Sequence, residues 1–340
     1  MSFTNLPEEL LQTIMGSLGK EELISLLSIP KLNVIAQSKL FSVLKFNADL
    51  QLPPASVWEY VTRLECYNVQ FSQIKAVIGR FKNLQQLVLD DDCEKDVNLS
   101  LPKVHTLILG NSMCSELTLP HHKFKMLAIS VTMKNWKNLM EINCNVLHLT
   151  VENYTAFIQL LPYLRCDELF VYGDEFFELE SIQWRKSSHF KRLNLCGVLN
   201  NQFVEEMLRY TSSDNLNLEL IELSGTWKTV LKNHPTINIL IHDETILEDH
   251  WTHPIESLYV NGSLVPEAAS MCALARKIVF DKCETGNFEH NISLLLLSSY
   301  SRLEKLTVKN YDVKMPEFNI PVNYINCNVH IVDKNKITVN

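Results

Sequence analysis

A short apolar motif returns along this chain from residue 84 to residue 327: one apolar residue, a second after two intervening positions, and a third after one more. Copies include Leu84-x-x-Leu87-x-Leu89, Val104-x-x-Leu107-x-Leu109, Phe124-x-x-Leu127-x-Ile129 and Phe190-x-x-Leu193-x-Leu195. Later ones are Leu218-x-x-Ile221-x-Leu223, Ile255-x-x-Leu258-x-Val260, Ala275-x-x-Ile278-x-Phe280, Leu303-x-x-Leu306-x-Val308 and Val322-x-x-Ile325-x-Cys327. The middle residues are Leu87, Leu107, Leu127, Leu147, Leu169, Leu193, Ile221, Ile239, Leu258, Ile278, Leu306 and Ile325, with steps of 20, 20, 20, 22, 24, 28, 18, 19, 20, 28 and 19 residues. Triplets of this kind also arise by chance in an apolar chain, so the regular spacing carries the argument rather than the number of copies.

Each triplet suits a short strand that turns two residues inward, because side chains alternate along a strand. The stretches Ser72–Phe81, Thr155–Leu161, Gln202–Tyr210, Glu267–Ala275 and Glu289–Ser299 read as helices between strands. Repeats of this period resemble the leucine-rich-repeat family. That family places Asn or Cys five residues after the middle Leu; here those positions include Asp92, Ser112, Thr132, Glu152, Asp174, Val198, Thr226, Ser263 and Cys283, so the turns are expected to be irregular. The resemblance implies an array of parallel strands lining a concave, protein-binding face. Its expected target-binding residues are His148, Phe170, Tyr172, Asn194, Glu222, Leu240, His242 and Tyr259, with the aromatic members and His148 as anchors. The alternative is that a tail or loop of the same chain covers them. Lys277, Lys305 and Lys309 fall late on this face and Glu168 and Glu222 in its middle, which points to a partner of mixed charge.

The first 46 residues read differently. Asn5-Leu6-Pro7-Glu8 has the form of a helix start, with Asn as cap and Glu reaching back to it. Leu10, Leu11, Ile14, Met15 and Leu18 then share a helical face, and Gly19 stops it. Lys20-Glu21-Glu22 opens a second helix, and Pro30 starts a third with Leu32, Ile35, Ala36, Leu40, Val43 and Leu44 on its apolar side. So small a module cannot hide all of this surface by itself. Leu6-Pro7-Glu8-Glu9-Leu10-Leu11, Ile14, Leu18 and the Glu21-Glu22-Leu23 step resemble an F-box, of a divergent, fungal type followed by leucine-rich repeats. Ile29-Pro30-Lys31-Leu32 stands where many members carry Cys and Trp.

The resemblance implies docking onto the Skp-family adaptor of an SCF ubiquitin ligase, and through it onto cullin and RING subunits. Adaptor contacts would be Leu6, Pro7, Leu10, Leu11, Ile14, Leu18, Leu23, Leu26, Leu32 and Ile35. The expected fold class is α/β: an F-box of three helices over 1–46, a linker over 47–60, and an irregular leucine-rich-repeat solenoid of about twelve repeats over 61–340. The alternative to the F-box is a helical cap over the repeats.

Composition sets outer bounds. The formal net charge of −8 argues against binding a phosphate backbone, and no apolar run approaches the roughly 20 residues that span a bilayer, so neither nucleic acid nor membrane is expected as a partner. Nine Cys, an odd number with no C-x-x-C, fit a reducing compartment, and no basic-then-apolar leader opens the chain, so a cytoplasmic or nuclear location is expected. His250-Trp251-Thr252-His253 has the spacing of a metal pair, but Pro254 breaks the helix it would need, and no metal or other cofactor is expected. His121-His122 and Asp90-Asp91-Asp92 read as solvated turns, and no phosphate loop, nucleophile elbow or paired base is found. Three non-enzymatic functions lead, a ligase substrate receptor, an F-box scaffold in a non-degradative assembly and a repeat-only binding module, with a hydrolase or transferase a distant fourth.

Overall fold

The structure is a computed structural model describing residues 6–47, 54–69, 78–90, 96–98, 104–110, 116–119, 123–173, 187–281, 287–298, 300–310, 312–316, 318–325 and 327–332. Among the described residues it is α/β, with one large sheet of fourteen strands and three sheets of two. The chain divides into two compact units, Met1–Leu147 and His148–Asn340.

The first unit opens with helices α1 (Glu8–Gly16), α2 (Lys20–Leu26) and α3 (Pro30–Leu40). Pro7 occupies the cap position of α1 without a side-chain cap, while the expected cap Asn5 lies outside the described residues. Gly19 does not stop α1; it caps α2, where its N–H donates to the Glu22 carboxylate at 2.7 Å. Pro30 enters α3 in its first turn, where no N–H is required. Leu11, Met15, Leu23, Leu32, Ile35 and Ala36 form a closed core, with Leu6, Leu18, Leu26, Leu27, Ile29 and Leu40 packed around it. The expected extension of α3 through Val43 and Leu44 fails: the helix ends at Leu40, and Val43–Asn47 is already a sheet strand. Val43 is β-branched and disfavoured in a helix, and its strand gains a full parallel ladder with Arg63–Tyr67.

The sheet strands of this unit follow chain order: Val43–Asn47, Arg63–Tyr67, Gln86–Asp90, Thr106–Leu109 and Phe124–Val131. Leu64, Leu87, Leu107 and Leu127 are in register and buried. The equal spacing read from sequence is therefore a true strand register here, although the series begins two strands before its first recognised copy. Ala55–Tyr60, within the span expected to be a linker, is a short 3-10 helix whose Trp58 ring packs against Phe81 at 5.6 Å. Most of the expected 72–81 helix lies outside the described residues. Strand Cys144–Val151 contains the division between the units.

In the second unit the sheet strands are Glu168–Gly173, Ser188–Gly197, Thr211–Leu220, Thr236–His242, Ile255–Asn261, Ala275–Asp281, Lys305–Lys309 and Val322–Ile325. Neighbours again follow chain order in parallel. One face is covered by the connecting helices Tyr154–Leu160, Asn201–Tyr210, Ala269–Leu274 and Asn287–Leu297. Phe203 lies at the centre of this layer, stacked on Tyr154 at 4.2 Å and edge-on to Phe157 at 5.6 Å. The expected helices at 155–161, 202–210 and 289–299 are present within a residue or two; that at 267–275 is a 3-10 turn (Pro266–Ala268) followed by Ala269–Leu274.

In two copies of the motif the strand register differs from the one the spacing predicts. Leu193 pairs with Leu216, and Ile239 with Leu218. Ile221 lies just past the strand, and Glu222–Leu223 form a separate short ladder with Ile246–Leu247. At the other end Leu306 pairs with Val322 rather than Ile325, which is outward-facing and exposed. Tyr324, one residue before Ile325, is in register with buried Val308. A slip of one residue exchanges the two faces of a strand.

The irregular turns find polar partners both at the position five residues after the middle Leu, where Thr132 Oγ1 accepts from the Lys134 and Asn135 N–H groups at 3.3 Å, and away from it. Asn135 accepts from the Thr132 N–H and donates to the Ser130 carbonyl. Asn291, fully buried, accepts from the Leu264 N–H at 2.7 Å and donates to the Gly262 carbonyl at 2.8 Å. His234 is also closed off from solvent, its Nδ1 2.8 Å from Ser213 Oγ and its Nε2 3.4 Å from the Leu208 carbonyl. Burial pushes its pKa down to about 4; the Leu208 carbonyl opposes that shift, and the nearby His189 and His253 add to it.

The unfolded chain thus takes up this proton near pH 6.5 and the folded chain only near 4. Stability is full above the unfolded value and declines as pH falls through that window, by about 2–3 kcal/mol at pH 4.5. Melting temperatures between pH 7.5 and 4.5 are expected to fall less steeply for His234→Gln than for the parent. Identical slopes would exclude His234 as the source.

Candidate protein-binding surfaces

Among the described residues, two surfaces group several apolar or aromatic side chains outside a core. The first is on the helical module. Leu11, Leu23, Leu32 and Ile35, all expected adaptor contacts, are enclosed within the module, and Leu6, Leu18 and Leu26 are half-buried against it. What faces solvent is Pro7, Leu10 (51% exposed) and Ile14 (37%), together with Ile24 (49%) and Val34 (59%). Leu10 and Ile14 are four apart on α1 and therefore form one stripe, while Leu11 and Met15 point into the core. Sequence periodicity places all four on one broad face; only packing separates the inner stripe from the outer one.

The second surface is the sheet face of the second unit opposite the helices. Alternation turns Leu169, Val171, Leu193, Leu195, Leu216 and Leu218 inward, so the residues between them face outward in rows running from strand to strand. One row reads Phe170, Asn194, Asn217, Asn238, Ser257, Lys277 and Lys305, each in register with the next. His148 joins its aromatic end, stacked on Phe170 at 4.1 Å with the rings 3° from parallel. Tyr172 stacks beside them, its hydroxyl 3.4 Å from His148 Nδ1. Burial lowers the pKa of His148 against the pull of Glu168, so the ring in this stack is neutral at pH 7. Burial, with Cys196 and Glu219 nearby, raises that of Tyr172.

In the middle of the row the amides form a ladder. Asn238 Nδ2 donates to Asn217 Oδ1 at 2.8 Å, Asn217 Nδ2 to Asn194 Oδ1 at 2.6 Å, and Asn194 Nδ2 to the Leu169 carbonyl at 3.3 Å. Asn217 was missed because the motif was centred on Ile221; the alternation Asn215-Leu216-Asn217-Leu218-Glu219-Leu220 was the available signal. The next row carries Leu240 and Tyr259 in register, both half-buried. Beyond it His242 is bound to Glu219 at 3.0 Å, and the Tyr259 hydroxyl donates to Asp281, which also accepts from Asn310. Lys309 lies 3.7 Å from Asp281 and 5.1 Å from the centre of the Tyr259 ring. Burial and this acidic neighbour push the Tyr259 hydroxyl up to about 12.

Seven of the eight expected target-binding residues therefore share this face, and Glu222 does not. It sits on the short ladder with Ile246, 3.4 Å from Asn201 Nδ2. Charged residues flanking the face are mostly paired: Arg192 with Glu168 at 2.8 Å, Lys277 with Glu256 at 2.7 Å, and Arg276 with Glu304 at 2.7 Å.

Among the described residues no group of three or more His, Cys, Asp or Glu is arranged to hold a metal ion, and no helix is long and apolar enough to cross a membrane. Trp251, between His250 and His253, is a core residue whose indole N–H bonds the His253 carbonyl. Burial drives the thiols of Cys66, Cys196 and Cys272 up to about 12, which leaves them protonated and poor nucleophiles at neutral pH. No protein-family model matches the chain, and no curated protein is significantly similar to it.

Proposed function

We propose that this chain is the substrate receptor of a Skp–cullin–F-box ubiquitin ligase. The observation that carries the reading is the helical module: it closes a core of its own yet leaves Pro7, Leu10 and Ile14 in solvent, at positions the F-box resemblance assigns to adaptor contact. Module and strands then divide the work, with adaptor held at the helices and a protein target on the outward face of the second unit. The chain itself does no chemistry. It raises the effective concentration of lysines near the charged conjugating enzyme, to the millimolar range for a short tether.

Combining the chain with adaptor, a cullin–RING core and ubiquitin-charged conjugating enzyme is expected to yield ubiquitin conjugates on the chain's own exposed lysines. Assembly of all components without any conjugate would replace the receptor with a non-degradative scaffold.

A further inference from the structure

The outward face of the second unit has a direction: three stacked rings at one end, a ladder of three amides in the middle, and two lysines at the other end. We propose that this row binds an extended segment of the target protein that carries a large apolar side chain at one end and carboxylates at the other. The inference rests on the receptor reading only in calling that segment part of a ligase target.

The amide ladder supplies the argument for an extended backbone. A side-chain amide offers two N–H donors and two acceptor positions, the same pair of functions as a peptide group. Within the ladder Asn217 spends one of each, and Asn238 spends one donor. Both residues are half-buried, so the remaining donors and acceptors are partly desolvated and positioned by their neighbours. A peptide laid across the strands can satisfy them with its own N–H and C=O groups. Leu240 and Tyr259 flank the ladder with apolar surface for intervening side chains.

Charge selects the far end. Lys277 and Lys305 are directly paired across neighbouring strands, an arrangement of like charges that destabilises a sheet unless an anion is shared. Glu256 draws Lys277 toward its own strand, and Lys305 has no carboxylate partner among the described residues. Both lysines are exposed. Carboxylate is favoured over phosphate because the guanidinium groups that would grip phosphate in two-point fashion are already engaged: Arg276 by Glu256 and Glu304, Arg192 by Glu168. Phe170 and Lys277 are five strand steps apart, about 24 Å at about 4.8 Å per step, which an extended segment spans in about seven residues.

Phage-displayed random dodecamers, selected on the immobilised full chain, test this directly. Enriched sequences are expected to pair an aromatic or large aliphatic residue with Asp or Glu six to nine positions away. A synthetic peptide of the enriched class is expected to lose at least tenfold in affinity against Lys277→Glu/Lys305→Glu and against Asn217→Ala/Asn238→Ala, with Lys191→Glu unchanged as an exposed control. Melting temperatures of the variants establish that each is folded. No enriched class, a class without acidic residues, or affinity unmoved by both double variants overturns the proposal. Peptide binding by a chain that fails to bind adaptor leaves this proposal standing and removes the ligase reading alone.

Discussion

Gly197→Ala is expected to destabilise the second unit by about 3 kcal/mol or more. Gly197 sits at φ +82°, a region in which an L side chain is strained by about 1–2 kcal/mol. It also pairs in register with Gly173, and a Cβ there would run into the Gly173 carbonyl oxygen. That oxygen cannot retreat, because it accepts from the Val198 N–H at 2.7 Å, and overpacking against fixed backbone adds about 1–3 kcal/mol. For a unit of this size each kcal/mol corresponds to about 2–4 °C, so the transition should drop by about 6–12 °C. Gly79→Ala, where a Cβ meets nothing within 4 Å, is the matched control and should be near neutral. A Gly197→Ala protein that melts with the parent would mean that the two strands approach less closely than described.

The second large effect is functional. Leu10→Asp/Ile14→Asp places two charges on the outer stripe of α1, leaves Leu11 and Met15 in the core, and should cost little stability, since exposed substitutions rarely exceed 0.5 kcal/mol. At an interface the same change buries two carboxylates without partners, which weakens binding by several orders of magnitude. Separating stability from binding in this way depends on the split between Leu10 and Leu11, which one helical face in the sequence does not reveal.

That split illustrates where sequence was enough and where it was not. Equal steps of 20 residues and strict alternation made the Leu87, Leu107 and Leu127 register legible, because each strand had one apolar set to turn inward. The long step around Ile221 concealed a strand whose own alternation, Leu216-Leu218-Leu220, competes with the spaced triplet. At Val322-Asn323-Tyr324-Ile325 both sets of alternate positions contain apolar residues, so pattern alone cannot choose a face. Asn291 was illegible for another reason: its partners at Gly262 and Leu264 lie 29 and 27 positions away, and only the folded stacking of successive connections brings them together. Of the candidate binding face, the aromatic end and Asn194 were named from sequence, while the continuous ladder through Asn217 required the register.

The most direct test of the receptor account is titration of purified Skp-family adaptor into the purified full chain, beside Leu10→Asp/Ile14→Asp of equal melting temperature. Saturable one-to-one binding by the parent and its loss in the variant is the predicted result. Absence of binding by the folded parent, or equal binding by both proteins, would contradict the assignment of this helix as the tether.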